Sequence, residues 1–361
     1  MEKNIAVDRQ ADLKNENQIK DECYYFSLDR LRLFLMFFAC IRCYGFVGKY
    51  GAFVQVLSGV SWIAYFIISG YLVMRDEEGR SERLLRTIKR TAIAFVLMTL
   101  AYFFIGLSYS SIIGKEIFDT MLTWKFWVKF IVFNVWPFKT GIAIWYVQSL
   151  LYGYIVLYFV DKLKLMKFDW IIMIVCLLLS MITGEFSGIL NFSILSFRGC
   201  EQNFVTLALP YLIAGSIIHR NMSKINDINP FIFLFIGIMG IAISVFELTM
   251  LAKLNKLRYY YNLIGMGMMA LAICTYAFTN PEDGFRSIIF QKYSLMYAKV
   301  IYYIFNIIAM ALAIALTAID PMLFSMTSGV IGIATFFISL LIAMLCSLIR
   351  YLIDPNEDIL I

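Results

Sequence analysis

The chain has 361 residues, of which 61% are hydrophobic and only 16% are charged, with a formal net charge of +6. Soluble domains carry about a quarter charged residues, so this composition excludes an ordinary soluble protein, and the modest net charge predicts no nucleic-acid partner. The apolar residues fall in runs of roughly twenty, the length that a helix needs to cross a bilayer. Backbone groups in lipid must be satisfied within their own segment, so these runs predict transmembrane helices.

Ten apolar segments predict an all-α, polytopic membrane protein. We expect one membrane-embedded domain over residues 28–350, between cytoplasmic tails at 1–27 and 351–361. Residues 1–27 lack the apolar core of a signal peptide. The predicted spans are 29–48, 52–74, 91–112, 142–160, 170–188, 204–219, 230–251, 260–279, 298–317 and 328–349.

The distribution of lysine and arginine predicts the orientation. With the N-terminus inside, the cytoplasmic segments contain eighteen of these residues and the opposite side contains nine. Cytoplasmic loops of membrane proteins carry such an excess, so we expect both termini in the cytoplasm. The longest outside connection, 113–141, contains the aromatic stretch from Phe126 and Trp127 through Trp136 and Phe138. Tryptophan favours the headgroup level, so this stretch predicts an interfacial or re-entrant segment.

Ionisable residues inside the predicted spans are the first candidates for a functional site, because a charge at mid-helix costs roughly 2.5–3.5 kcal/mol on translocon scales. Arg32 and Arg42 lie in the first span, and Arg32 is the stronger candidate. Arg30 can extend to the interface and be structural. Glu247 is expected to face the bundle interior and to pair with an arginine of another span. Lys299 is expected to be an interfacial anchor.

Several segments, taken in order, resemble the acyltransferase-3 family of integral-membrane O-acyltransferases. Its first span contains an arginine followed eleven residues later by a histidine; here Arg32 is followed by Cys43. Arg32 and Cys43 share a helix face and lie about 16 Å apart along the axis. The other matching segments are Phe66–Tyr71, Arg86–Arg90, Ala143–Tyr146, Arg198 through Phe204, Glu247 and Tyr303–Asn306. The closest subgroup contains polysaccharide O-acetyltransferases and the membrane domain of vancomycin-resistance serine racemases.

The resemblance implies transfer of a small acyl group, such as acetyl, from cytoplasmic acyl-CoA (acetyl-CoA) to a hydroxyl of an envelope or extracellular polysaccharide. It places the protein in a bacterial plasma membrane, with the lipid bilayer, a glycan acceptor and polysaccharide-synthesis proteins as partners. Arg32 and Cys43 would be catalytic. The implied donor-binding residues are Arg86, Lys89, Arg90, Ser69 and Tyr71. The implied acceptor pocket contains Arg42, Trp145, Tyr146, Arg198, Asn203, Glu247, Tyr303 and Asn306.

Two of these assignments have a simpler alternative. Ser69 and Gly70 permit close helix packing. The basic segment 75–90 also serves as a topology signal and attracts anionic lipid. The seven cysteines show no metal-ligand spacing, so we predict no metal site and no disulfide framework.

The chain departs from the family at three positions that often hold histidine, where it has Cys43, Ala143 and Asn306. Its single histidine, His219, lies at the end of the sixth span. General-base catalysis usually uses a histidine, so three hypotheses remain open. Cys43 forms an acyl-thioester beside Arg42; or the protein binds or moves a substrate without acylating it; or it is a structural subunit of a polysaccharide-assembly complex.

Overall fold

The structure is a computed structural model, and it describes ten stretches of the chain. Within these stretches helix is the only regular secondary structure, which confirms the all-α prediction for this part of the chain. The described residues are 27–43, 51–74, 79–110, 123–134, 144–184, 186–190, 203–254, 263–281, 288–319 and 321–353.

The described residues form thirteen α-helices, together with a 3₁₀ turn at Leu165–Phe168 and a π-helical turn at Phe204–Ala208 that leads directly into a helix. The helices are α1 27–43, α2 Gly51–Val73, α3 Arg80–Ser110, α4 Trp124–Ile131, α5 Ile144–Lys162, α6 Asp169–Thr183, α7 Ser187–Leu190, α8 Leu209–Arg220, α9 Met222–Ile225, α10 Pro230–Lys253, α11 Ile264–Thr279, α12 Ile288–Ile319 and α13 Pro321–Ile353.

Six segments of the described chain are long and apolar enough to cross a membrane, which supports a helical membrane protein. Two shorter apolar helices, Phe204–Arg220 and Ile264–Thr279, add to them. The predicted first and fourth spans correspond to α1 and α5, and neither helix is among the segments found long and apolar enough to cross a membrane. The total of ten spans therefore stays a prediction. The six segments are Phe53–Val73, Arg80–Phe104, Leu165–Thr183, Pro230–Lys253, Tyr293–Ala313 and Gly329–Arg350.

Two helices begin well before the predicted spans. We expected the third span to begin at 91, but α3 begins at Arg80 and includes most of the basic segment. Likewise α12 begins at Ile288 rather than at 298. Lysine, arginine and glutamate are good helix formers, so a helix need not end where the apolar run ends. These helices therefore carry their basic side chains on a regular scaffold.

Helix α2 forms the centre of the bundle. Most of its apolar stretch is buried, whereas that of α3 is largely exposed. Glycines allow α2 to approach α8 closely: a Cβ at Gly70 would lie 2.0 Å from the Leu212 carbonyl oxygen, and one at Gly215 would lie 2.0 Å from that of Ile67. Small residues bring membrane helices together in this way. The alternative reading of Gly70 as a packing residue therefore has direct structural support.

One end of the bundle carries several basic residues, and we call it the basic end. Arg80 pairs with Asp161 at the end of α5 at 3.3 Å, and Arg220 pairs with Asp169 at the start of α6. Arg32 pairs with Asp29 near the start of α1 at 2.8 Å. The first two pairs each join the ends of two helices, the third lies within α1, and all three lie at this end. This is the side that the lysine and arginine count predicts to be cytoplasmic.

Candidate functional site

A cavity of about 340 Å³ lies between α1, α2, α3, α5 and α12, towards the basic end. Three basic side chains line it: Arg32 of α1, Arg90 of α3 and Lys299 of α12. Each comes from a different helix, so the fold brings together residues that are far apart in the sequence. Arg32 and Arg90 were predicted for the site, whereas Lys299 was expected to be an anchor. The structure places its side chain in the cavity wall.

The described lining of this cavity contains no acidic side chain. The Asp29 carboxylate pairs with Arg32 from one turn away on α1. Lys299 lies within electrostatic range of Arg32, Arg90 and Asp29. Three cations near one carboxylate leave a net positive charge, and the apolar surroundings screen it less than water would. The cavity is therefore suited to bind an anion.

Aromatic rings form much of the remaining wall. Tyr146 lies 5.2 Å from Trp62 and 5.8 Å from Tyr302, measured between ring centroids. The hydroxyl of Tyr65 donates a hydrogen bond to the backbone oxygen of Arg32 at 2.5 Å, so α2 fixes the turn of α1 that carries this arginine. Since aromatic side chains lose little conformational freedom on packing, the wall is a rigid surface for a ligand.

Two short patterns produce this lining. Trp62 and Tyr65 are three residues apart on α2, and Lys299, Tyr302 and Tyr303 are spaced three and four residues apart on α12. Residues at these spacings share a helix face. The predicted site residues did not include Trp62, Tyr65, Lys299 or Tyr302. A face of aromatic and basic residues within an apolar span is the signal that could have identified them.

Two of the positions where the family often has histidine meet at Tyr102. The Asn306 side chain is buried beside the Tyr102 hydroxyl, which donates a hydrogen bond to the Tyr303 backbone oxygen at 3.2 Å. The half-buried free thiol of Cys43 lies within electrostatic range of Tyr102 and Tyr302. Tyr302 and Tyr303 line the cavity, whereas Cys43 and Asn306 do not belong to its described lining. The third position, Ala143, lies outside the described residues.

The other end of the bundle holds a second group of predicted acceptor residues. The buried Arg42 guanidinium donates hydrogen bonds to Gln55, to its backbone oxygen at 2.7 Å and to its side-chain oxygen at 2.6 Å. The Asn203 side chain accepts from the backbone N–H of Val205 and donates to the Val132 oxygen, both at 3.0 Å. Both side chains form hydrogen bonds with backbone groups at the ends of helices. The role that the structure shows for them is therefore structural.

The segment 123–134 is attached to this same end. Helix α4 buries Phe126 and Phe130 and exposes Trp124 and Trp127, as expected for an interfacial helix. Asn134, with a positive φ of 57°, donates to the Trp145 backbone oxygen at 2.7 Å. The Trp145 ring packs on Trp62 at 5.5 Å and is not part of the described cavity lining.

Several predicted site residues lie away from the cavity. Ser69 hydrogen-bonds Tyr146 and Tyr154 of α5, and buried Tyr71 stacks on Phe278 at 3.8 Å. Arg86 and Lys89 are exposed on α3. None of these four belongs to the described lining, which among the predicted donor-binding residues contains only Arg90.

Glu247 has a different partner from the one expected. Its carboxylate accepts a hydrogen bond from the Gly265 N–H at 3.3 Å, in the first turn of α11. The positive end of a helix dipole stabilises a negative charge at that position. A helix terminus therefore takes the place of the expected arginine. Arg198, predicted for the acceptor pocket, lies outside the described residues.

The arrangement can bind an anion next to a rigid aromatic wall, while the Cys43 thiol and the Asn306 carboxamide lie outside the described lining. No group of three histidine, cysteine or acidic residues in the described part of the chain could hold a metal ion. No protein-family model, curated protein or solved structure matches this chain. The functional argument therefore depends on the residues of the cavity and on the motifs described above.

Proposed function

We propose that this protein is a ten-span O-acyltransferase of a bacterial cytoplasmic membrane, with both termini in the cytoplasm. It takes a small acyl group, such as acetyl, from cytoplasmic acyl-CoA and transfers it to a hydroxyl of an envelope or extracellular polysaccharide. The observation that supports this proposal best is the cavity with Arg32, Arg90 and Lys299 in its wall. The ordered motifs that resemble the acyltransferase-3 family supply the reaction class.

The chemistry of the donor fits this charge. Acyl-CoA carries several phosphate charges, and arginine presents a planar fork of donors that matches phosphate geometry. Arg90 is an exposed residue of the lining and Lys299 comes from a predicted span, so the two would guide the phosphates to the basic end while the acyl arm enters the bundle. Cys43 and Asn306 would lie beside the inner part of that path.

The overall reaction is balanced without a further reactant. The acceptor oxygen forms an ester bond with the acyl carbon, the carbon–sulfur bond of the thioester breaks, and the hydroxyl proton ends on the thiol of CoA. If Cys43 is the nucleophile, its sulfur first takes the acyl group, CoA leaves as the thiol, and the acceptor hydroxyl then releases Cys43. Arg42, Trp145, Tyr146 and Asn203 would border the acceptor route in this scheme.

A direct binding measurement tests the donor site. We expect the detergent-purified protein to bind CoA and to bind pantetheine, which lacks the phosphates, much more weakly. Arg90→Ala should weaken CoA binding by roughly ten- to a hundredfold, the usual effect of losing a hydrogen bond to a charged group. Isothermal titration calorimetry measures both ligands and the variant.

The matched control is Arg86→Ala, one turn earlier on α3. Arg86 is an exposed arginine on the same helix and does not belong to the described cavity lining. We expect it to leave CoA binding within about twofold of the parent, as for a surface residue. Equal losses for the two variants would mean that net charge matters and the cavity does not, which contradicts the proposal.

A second candidate function is binding or transport of an anionic polar substrate without acylation. The observation that favours it is the lining itself, which among the described residues holds no histidine, cysteine or carboxylate. Flux of a substrate across proteoliposomes, with no consumption of acyl-CoA, would support this function. Turnover of acyl-CoA by the same preparation would contradict it.

A further inference from the structure

A second, separate concavity lies on the opposite side of α1. It is a groove of about 670 Å³ between α1, α11 and α13. Arg30 lines it, whereas Arg32 lines the cavity described above. Two residues along a helix correspond to a rotation of about 200°, so neighbouring arginines of α1 face two different sites.

The lining of the groove changes from polar to aromatic along its length. Ser27 and Arg30 lie at the basic end, where the Ser27 hydroxyl donates to the Ala277 backbone oxygen at 3.0 Å. Deeper in the bundle the lining becomes aromatic, with Phe34, Phe37 and Phe336. Arg30 and Phe37 are seven residues apart, or about 10 Å along the helix axis. The groove therefore begins at one basic side chain at the membrane surface and continues as an apolar slot towards the membrane interior.

The apolar part of the groove is exposed on the outside of the bundle. Phe34 is 57% exposed and Phe337, which also lines the groove, is 54% exposed. Phe37 and Phe336 pack edge to face at 5.2 Å and form its floor. Because α13 contains one of the apolar stretches long enough to span a membrane, lipid chains are the medium that covers these rings.

We infer that this groove is a binding site for one anionic phospholipid of the leaflet at the basic end. The phosphate lies against Arg30, and one acyl chain lies in the slot between Phe34, Phe37 and Phe337. The charge and the apolar slot occur in the order in which a phospholipid presents its phosphate and its chain. The inference does not depend on acyl transfer, because none of the groove residues is shared with the cavity.

The first experiment uses the unchanged protein. Native mass spectrometry measures binding of dioleoylphosphatidylglycerol and of dioleoylphosphatidylcholine, which has the same chains and no net charge, to the delipidated protein in detergent. We expect the anionic lipid to bind about fivefold more tightly, the effect of one basic residue at an anionic surface. Glycerol 1-phosphate, which has no chains, should not displace it. Equal binding of the two lipids, or displacement by glycerol phosphate, would overturn the inference.

Variants assign the preference to the groove. Arg30→Gln should abolish the preference for the anionic lipid, and Arg30→Lys should restore it. Arg86→Gln removes a cation that is not in the described groove lining and should leave the preference unchanged. Ala277→Leu keeps Arg30 but narrows the groove, so it should weaken binding of both lipids. A folded Arg30→Gln protein that keeps the full preference would refute the site, as would an Ala277→Leu protein that binds both lipids like the parent.

Discussion

At the scale of single residues, the groups around Tyr102 determine which catalytic steps are available to the chain. Its hydroxyl contacts Asn306 and the Tyr303 backbone oxygen, and Cys43 lies close to it. A thiol is a nucleophile only as the thiolate, which burial in apolar surroundings disfavours and a neighbouring cation favours. Arg42 is within electrostatic range of Cys43, and it also donates hydrogen bonds to Gln55.

The role of Cys43 can be tested by replacing its sulfur. If Cys43 carries the acyl group, Cys43→Ala should lose acyl transfer by more than a hundredfold while acyl-CoA binding stays within about twofold, because a covalent step disappears and the cation-lined cavity does not. Turnover and binding are measured on the same preparation. Cys346→Ala, an exposed cysteine elsewhere in the bundle, is the matched control and should keep full activity. Full activity in Cys43→Ala would exclude the thioester route.

Replacing Cys43 by histidine examines the alternative that the scaffold has lost its base. Cys43→His places a base at the position where the resembled family has one. Activity in this variant together with an inactive parent would mean that the site binds donor without acylating. The readout is release of free CoA from acyl-CoA by the purified protein.

At the scale of helices, the crossing of α2 and α8 sets the geometry of the site. Gly70 and Gly215 let the two backbones touch, while Ser69, beside Gly70, bonds the α5 tyrosines that support the cavity wall. The sequence motif around Ser69 and Gly70 therefore acts through packing: it positions Tyr146 and does not itself face the cavity.

This crossing predicts a clear difference between two glycine substitutions. Gly70→Ala places a methyl group against the Leu212 backbone oxygen, which cannot move aside as a side chain could, and should lower the free energy of unfolding by about 2 kcal/mol or more. Gly237→Ala on α10 meets only the Ala272 methyl group at 3.7 Å, an ordinary contact, and should be nearly neutral. Thermal unfolding in detergent compares the two. Equal stability of both variants would show that α2 and α8 can move apart at this crossing without a loss of stability.

The sequence predicted the helical class and most helix positions because long apolar runs have few other solutions in a bilayer. It identified Arg32, Arg90, Tyr146 and Tyr303, which all line the cavity. It did not place Lys299 at the cavity, because the neighbours of this lysine from other helices are not visible in its own segment. It could not separate Arg86 from Arg90, because that choice depends on which face of α3 turns to the bundle.

At the scale of the whole molecule, the basic end and its ion pairs make orientation testable. If this end is cytoplasmic, fluorescent or enzymatic reporters fused to either terminus should report the cytoplasm, because successive crossings return the chain to the same side. A reporter inserted in the connection between α3 and α4 should report the opposite side. Opposite locations for the two termini would mean an odd number of crossings and would exclude the ten-span arrangement.

The position of the cavity beside two lipid-facing helices has a consequence for how its occupancy should be measured. Both α3 and α12 line it, and Tyr303 of the lining is 43% exposed. A ligand with an apolar chain can therefore reach the site by lateral diffusion within the bilayer. Its apparent affinity then follows its mole fraction among the lipids, so that adding empty lipid at constant ligand lowers occupancy by simple dilution. Titrations in membranes of different lipid-to-protein ratio would consequently yield different half-saturation concentrations for the same intrinsic affinity.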